Sequence, residues 1–308
     1  MQLFHSHKVR WFFGALVFCY LATTLSCKKV RLARNVRMYT SSEQKDTTPA
    51  KKFPKRGDIK LHSAYFGLDN KLPKRIKQVC KKGEGADGMP VIFSKELNAT
   101  TMQAGDFRVL TRSGKVGQVY CATLVPAIDE GELRTVLLIG EFGSAKKDPP
   151  AQVEIVGNLH TITNDNNFKG KKVKVTPLSA GPFLVRAEVV PKKQWKVGQK
   201  GSVAMGSGCP KGTTLAIRAV WAGGVTKPGG KPADQKEGKL YRVTLKTKNG
   251  KTQEVTPFAL ADLKDGDNNH LLCLKQEGTP LKVTFPAGHL TDPNEDAKNP
   301  RTTVAITP

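Results

Sequence analysis

Residues 87–115 most constrain what this chain can become. Asp87-Gly-Met-Pro-Val-Ile-Phe-Ser94 is an apolar run that opens on a turn signal. Lys95 to Asp106 is polar, then Phe107, Val109 and Thr111 alternate toward Ser113-Gly114. A run of strand length, a loop, an alternating run and a tight turn spell a half-buried β-meander. The grammar continues downstream. Val119, Cys121 and Thr123 alternate, Arg134-Thr-Val-Leu-Leu-Ile139 ends at Gly140, and Val153-Glu-Ile-Val156 ends at Gly157. None of these runs carries a helical period of useful length. The 29 glycines and 19 prolines favour many turns over long helices.

The pattern then returns. Phe107-Arg-Val109 leads to Gly114-Lys115, Val119, Cys121 and Leu124, and Tyr241-Arg-Val243 leads to Gly250-Lys251, Val255, Pro257 and Leu260. Cys80-Lys-Lys-Gly83 parallels Cys209-Pro-Lys-Gly212, and the segment from Val153 to Leu159 parallels that from Val283 to Leu290. Four matches in one order point to a tandem duplication. The bland alternative is that any two β-domains share hairpin grammar. The expected class is all-β, with two antiparallel sandwich domains at 59–165 and 171–308. Each is long enough to bury its own core. Lys172 to Thr176 and Phe183 to Val189 read as strands of the second domain, and Trp221 as core.

Pro90-Val-Ile-Phe-Ser94, Leu97, Thr100-Thr101 and Asp106-Phe107 resemble the bacterial Ig-like domains of surface-layer and adhesin proteins. The resemblance spans about residues 87–112. It implies an Ig-like sandwich in a structural or adhesive setting at the cell surface, and it brings no active-site residues.

The chain begins as an exported one would. Lys8 and Arg10 precede an apolar run from Trp11 to Leu25, too short for a comfortable membrane span. Residues 1–27 thus read as a signal peptide or short anchor. Cleavage before Cys27 would leave that cysteine first, as in bacterial lipoproteins, although Thr24 replaces the leucine that pattern prefers. Lys28, Lys29, Arg31, Arg34 and Arg37 follow at once and oppose translocation, which keeps an uncleaved anchor open.

The net charge is +24, and between residues 28 and 82 seventeen cations face four anions, so over half the excess lies ahead of the main strands. Residues 28–58 read as a basic, disordered linker. Such a tether can hold an anionic surface: lipid headgroups, cell-wall polymer or glycan. The plainer alternative is a soluble spacer. Nucleic acid is not expected, because neither zinc-finger spacing nor an aromatic-studded RNA signature is present.

Cys80, Cys121, Cys209 and Cys273 remain beyond the N-terminal segment, with no C-x-x-C. An exported chain would oxidise them. One bond per domain, Cys80–Cys121 and Cys209–Cys273, keeps each domain self-contained, and free thiols are the alternative in a reducing compartment.

Asp265-Gly-Asp-Asn-Asn-His270 offers the best chemistry. Asp265, Asp267 and Asn269 have the D-x-D-x-N spacing of calcium loops, so calcium is the one cofactor suggested. His270 replaces the glycine and Gln276 the glutamate that an EF-hand requires. The plain alternative is that these side chains shape a turn. Asp292-Pro-Asn-Glu-Asp296 is a second acidic cluster that could add oxygens. Asn98-Ala99-Thr100 is a glycosylation triplet in a eukaryote. No nucleophile elbow accompanies His160, His270 or His289. Carboxylate pairs for glycoside cleavage could be drawn from Glu130, Glu132, Asp292 and Glu295. No catalytic residue is assigned.

The sequence therefore describes an exported structural or binding protein of the envelope or extracellular space. Sandwich loops would meet a protein or carbohydrate ligand. An extracellular hydrolase using the C-terminal acidic loops is the alternative.

Overall fold

The structure is a computed structural model that describes residues 37–53, 59–163, 165–195, 208–263, 265–295 and 297–307. Residues 1–27, expected on sequence to be a signal peptide or short anchor, and Asp296 lie outside the described residues, Cys27 with them. The protein is all-β, as the sequence reads.

The first sheet contains β1 (Thr40–Ser41), β2 (Leu61–Tyr65), β3 (Asp87–Phe93), β4 (Phe107–Thr111), β5 (Val116–Thr123), β6 (Thr135–Glu141), β7 (Pro150–Ile155) and β8 (Lys172–Thr176). Its order is β1-β5-β4-β7-β8-β2-β3-β6, and β5 also pairs with β6, so β2 to β8 close into a barrel. The second sheet contains β9 (Leu184–Val189), β10 (Leu215–Trp221), β11 (Arg242–Lys246), β12 (Thr252–Val255), β13 (Ala259–Ala261), β14 (Asn269–Leu274), β15 (Thr279–Phe285) and β16 (Thr302–Thr307). Its order is β12-β11-β15-β16-β9-β10-β14-β13, a half-barrel open between β12 and β13. One turn of helix, α1 (Gln235–Gly238), begins at a capping box between Asp234 and Glu237.

This strand order does not give the Ig-like sandwiches that the sequence reading expects. Apart from the short β1, the first and last strands of each sheet pair in parallel, β2 with β8 and β9 with β16, and that pairing curls each sheet upon itself. Alternating burial is the same for a strand in a sandwich or a barrel, so periodicity cannot tell them apart. The strand Lys172–Thr176 lies in the first sheet, not at the head of the second domain.

The two sheets are copies in register. Ala64 faces Val175 and Tyr65 faces Thr176 in one; Ala187 faces Ile306 and Glu188 faces Thr307 in the other. The pairing of β2 with β3 skips one residue between Leu61 and Ser63, and that of β9 with β10 skips one between Leu184 and Arg186. Val109 pairs with Val153, and Val243 with Val283. Two separate matches in the sequence are thus cross-strand partners in both halves. Met89, Val91 and Phe93 fill the first barrel where Ile217, Ala219 and Trp221 fill the second. The single strand β5 corresponds to β12 and β13, divided near Pro257.

Each half holds one disulfide, Cys80–Cys121 and Cys209–Cys273, the pairing expected from one bond per domain.

Residues 37–53, assigned to the disordered linker on sequence, form a strap on the first barrel. Thr40–Ser41 pairs with β5, and the Gly105 amide donates to the Glu43 carbonyl at 2.9 Å. Asp46 accepts from the backbone and side-chain amides of Asn158 at 2.9 and 2.8 Å, and Phe53 meets His160 edge-on. The strap holds through backbone and polar groups and leaves no apolar period to read.

Candidate functional site

The duplicated halves meet along β2 and β9, and the junction is ionic. Arg218 on β10 occupies the outward position that Pro90 holds on β3. Its side chain is 2% exposed. Nε donates to Glu132 at 3.1 Å, and the remaining nitrogens donate to Glu188 and to the carbonyls of Gly131 and Glu130 at 3.0–3.1 Å. Glu188 also takes Arg134 at 3.2 Å and Arg186 at 2.8 Å. Burial would raise the Glu188 carboxyl, but Arg134, Arg186 and Arg218 override it and hold it below its usual range. Glu188 stands where the first barrel has Tyr65. The Tyr65 hydroxyl reaches the second half too, donating to Asp292 at 2.8 Å.

Two corresponding loops converge beside Arg218. The β5–β6 loop carries Glu130-Gly-Glu132, and the β13–β14 loop carries Asp265-Gly-Asp267. Gly131 and Gly266 adopt φ of +92° and +83°, a left-handed turn that glycine takes at little cost. The turns bring Glu132 and Asp267 together with Asp262, their nearest ligand oxygens all within 4.8 Å of one another. Glu132 and Asp262 are each 1% exposed; Asp267 is half-buried and faces the cleft between the halves. Burial pushes all three carboxyls well above their usual range, and their mutual repulsion adds to it. Burial likewise raises Asp129, and Asp265 adds to the shift.

Neither Asp262 oxygen receives a hydrogen-bond donor, and buried Asn269 Oδ1 lacks one too. Asn269 Nδ2 donates to Asp267 at 2.7 Å, which fixes that amide beside the carboxylate. Arg218 supplies one positive charge against three carboxylates.

The cleft has a cavity of about 720 Å³, lined from both halves by residues that include Arg75, Val79, Asp262, Asp267 and His270. A narrower slot of about 150 Å³ adjoins it, lined mainly by apolar groups of Tyr65, Leu68, Pro90, Val125, Leu137 and Pro293.

The structure divides the loop singled out on sequence. Asp267 joins the carboxylate group, whereas Asp265 accepts from the Asp267 amide at 3.2 Å and shapes the turn. Asp292 accepts from the amides of Asn294 and Glu295 and turns its own loop. His270 packs inside the second half, where Trp221 Nε1 donates to the Tyr241 hydroxyl at 2.8 Å and that hydroxyl lies 2.7 Å from His270 Nδ1. Burial lowers His270 to about 4, so it is neutral and accepts from the tyrosine. His289 is exposed. Asp262 and Arg218 escaped the sequence reading, and Glu132 entered it only as one of several carboxylates. Carrying the repeat past Leu124 and Leu260 reaches both acid-glycine-acid turns, six residues on in one copy and five in the other, so a one-residue gap is needed to align them.

No family model matches the chain, and no curated protein matches it in sequence. Among solved structures, the N-terminal part of the bacterial S-layer protein SbsC aligns at 10% identity and a TM-score of 0.27, over 81% of this chain. This chain spans 44% of that structure's length. Native alpha-2-macroglobulin from Escherichia coli, spanning domains MG0-NIE-MG1, aligns at 12% identity and a TM-score of 0.19, over 72% of this chain and 67% of that one. Likeness this slight carries no functional argument.

Proposed function

We propose that the protein is an exported binding protein of the cell envelope or extracellular space, and that its ligand sits in the cleft between its two halves. The cleft is the observation that carries this reading. Its volume falls in the range of small-ligand pockets. Both halves wall it, and a buried ion network fixes them. Acidic groups beside an apolar slot suit a segment of protein or carbohydrate with polar and apolar faces. The two disulfides support export. The cations of residues 28–58 would add a tether to an anionic surface.

Gly224 tests the cleft. It borders both cavities, and a Cβ there would meet only Pro293 at 3.6 Å. Gly224→Trp should leave the thermal midpoint unchanged and abolish binding to glycan and cell-wall arrays. Binding that survives this substitution moves the ligand elsewhere. Binding to anionic vesicles, by contrast, should persist in Gly224→Trp and fall with salt.

A hydrolase is the second reading. Asp262 and Asp267 line the open cleft, and burial and mutual repulsion raise both carboxyls, so that one can hold a proton while the other is ionised, as an acid and base pair requires. Polysaccharide cleavage that Asp262→Asn abolishes would favour it.

A further inference from the structure

We propose that the two acid-glycine-acid turns form a divalent-cation site spanning the halves, with calcium as the preferred ion. Glu132, Asp262 and Asp267 supply carboxylate oxygens and Asn269 supplies its amide oxygen. The first half thus gives one ligand residue and the second gives three. Four observations carry the assignment.

First, the carboxylate oxygens lie within 4.8 Å of one another, the span of two opposed ligands at about 2.4 Å from a calcium ion. Second, Asn269 is 1% exposed and its Oδ1 has no donor, while its Nδ2 is held against Asp267. This neutral acceptor beside the acids has nothing in the protein to accept from. Third, Asp262 is as deeply buried, and both of its oxygens lack donors. A carboxylate removed from water without donors is costly unless a cation or proton joins it. Fourth, the connected network sets Arg134, Arg186 and Arg218 against Glu132, Glu188, Asp262 and Asp267, and the excess of carboxylate sits at the three clustered acids, where a cation offsets it. The donors are all oxygen, which selects a hard cation over zinc or copper. The cleft beside Asp262 and Asp267 has room for the waters that complete a shell of six to eight. Magnesium demands tighter octahedral geometry than a cluster drawn from two loops readily gives.

The ion would do what neither barrel can do alone. It would draw the β5–β6 loop to the β13–β14 loop and fix one wall of the cleft. The site is independent of the cleft's organic ligand, so titrating ligand-free protein reads the ion by itself.

The test uses the full chain stripped with EGTA and titrated with calcium chloride, then magnesium chloride, by calorimetry at pH 7.5. One calcium should bind per chain, at or below about 1 mM, as in extracellular modules. Binding should release protons and raise the thermal midpoint. Asp262→Asn should weaken binding at least about tenfold, since affinity follows the charge count of the ligands. It should also raise the midpoint of the calcium-free protein, because it removes a buried charge without donors. A variant that merely unfolds would lower that midpoint, so the two effects are separable. Asp265→Asn, outside the carboxylate group, should bind as the parent does. No saturable heat at 10 mM calcium overturns the site. So does binding lost in Asp265→Asn but kept in Asp262→Asn, which would restore a linear loop over residues 265–269.

Discussion

Arg218→Met isolates the joint between the two halves. The guanidinium is 2% exposed and bonds two carboxylates and two carbonyls. Methionine keeps the apolar stem and removes every donor. Glu188 retains Arg134 and Arg186, so the damage falls on Glu132, which is 1% exposed and loses its only cation partner among the described residues. Removing one partner of a buried pair costs about 3–5 kcal/mol, because the other charge stays buried. Glu132 can escape by binding a proton, for which burial already primes it. The loss should therefore be about 3–5 kcal/mol at pH 8 and shrink at pH 4 toward about 1–2 kcal/mol for the orphaned carbonyls. Urea unfolding in EGTA, followed by tryptophan fluorescence, measures it at both values. Arg218→Met with Glu132→Gln removes the stranded charge, and about 2 kcal/mol should return at pH 8. A loss below about 1 kcal/mol at pH 8, or no recovery in the double variant, would refute the reasoning that this pair joins the halves.

Three further outcomes follow from the fold. Opening Cys80–Cys121 or Cys209–Cys273 by paired serine substitutions should cost about 4 kcal/mol each, from loops closed across 41 and 64 residues, by chemical denaturation. Below about pH 6.5 buried His62 and His270, both lowered to about 4, oppose the raised carboxyls. Above it, stability without calcium should fall as pH rises toward 8, because burial lifts Asp106 to about 7 and raises Asp262, so the folded state binds more protons than the unfolded chain there. That stability is lost as pH passes the folded values of these two acids; Asp262→Asn should flatten the slope in thermal melts. Gly105→Ala should release the strap: its Cβ would fall 2.1 Å from the Gln44 carbonyl oxygen, so residues 37–53 should become open to brief proteolysis while the barrel stays intact.

Local physics made much of this protein legible from its sequence. Apolar runs of strand length between glycine turns fixed the all-β class. The matches of Phe107–Val109 with Tyr241–Val243 and of Val153 with Val283 were enough to find the duplication, because cross-strand partners must covary in size and spacing. The disulfide pairing followed from keeping each loop inside one half. What the sequence left open depends on contacts between distant residues. Barrel or sandwich is decided by the parallel pairing of β2 with β8 and of β9 with β16, about 110–120 residues apart, and no window of the sequence contains it. The strap was hidden because backbone amides and Asp46, not an apolar stripe, hold it down. The acidic centre was hidden most completely. Glu132 and Asp267 are 135 positions apart, and each sits in a turn where an acidic residue is ordinary. Only the docking of the two halves buries Glu132, brings half-buried Asp267 to it, sets Arg218 and Asp262 beside them, and turns two commonplace turns into one concentrated charge.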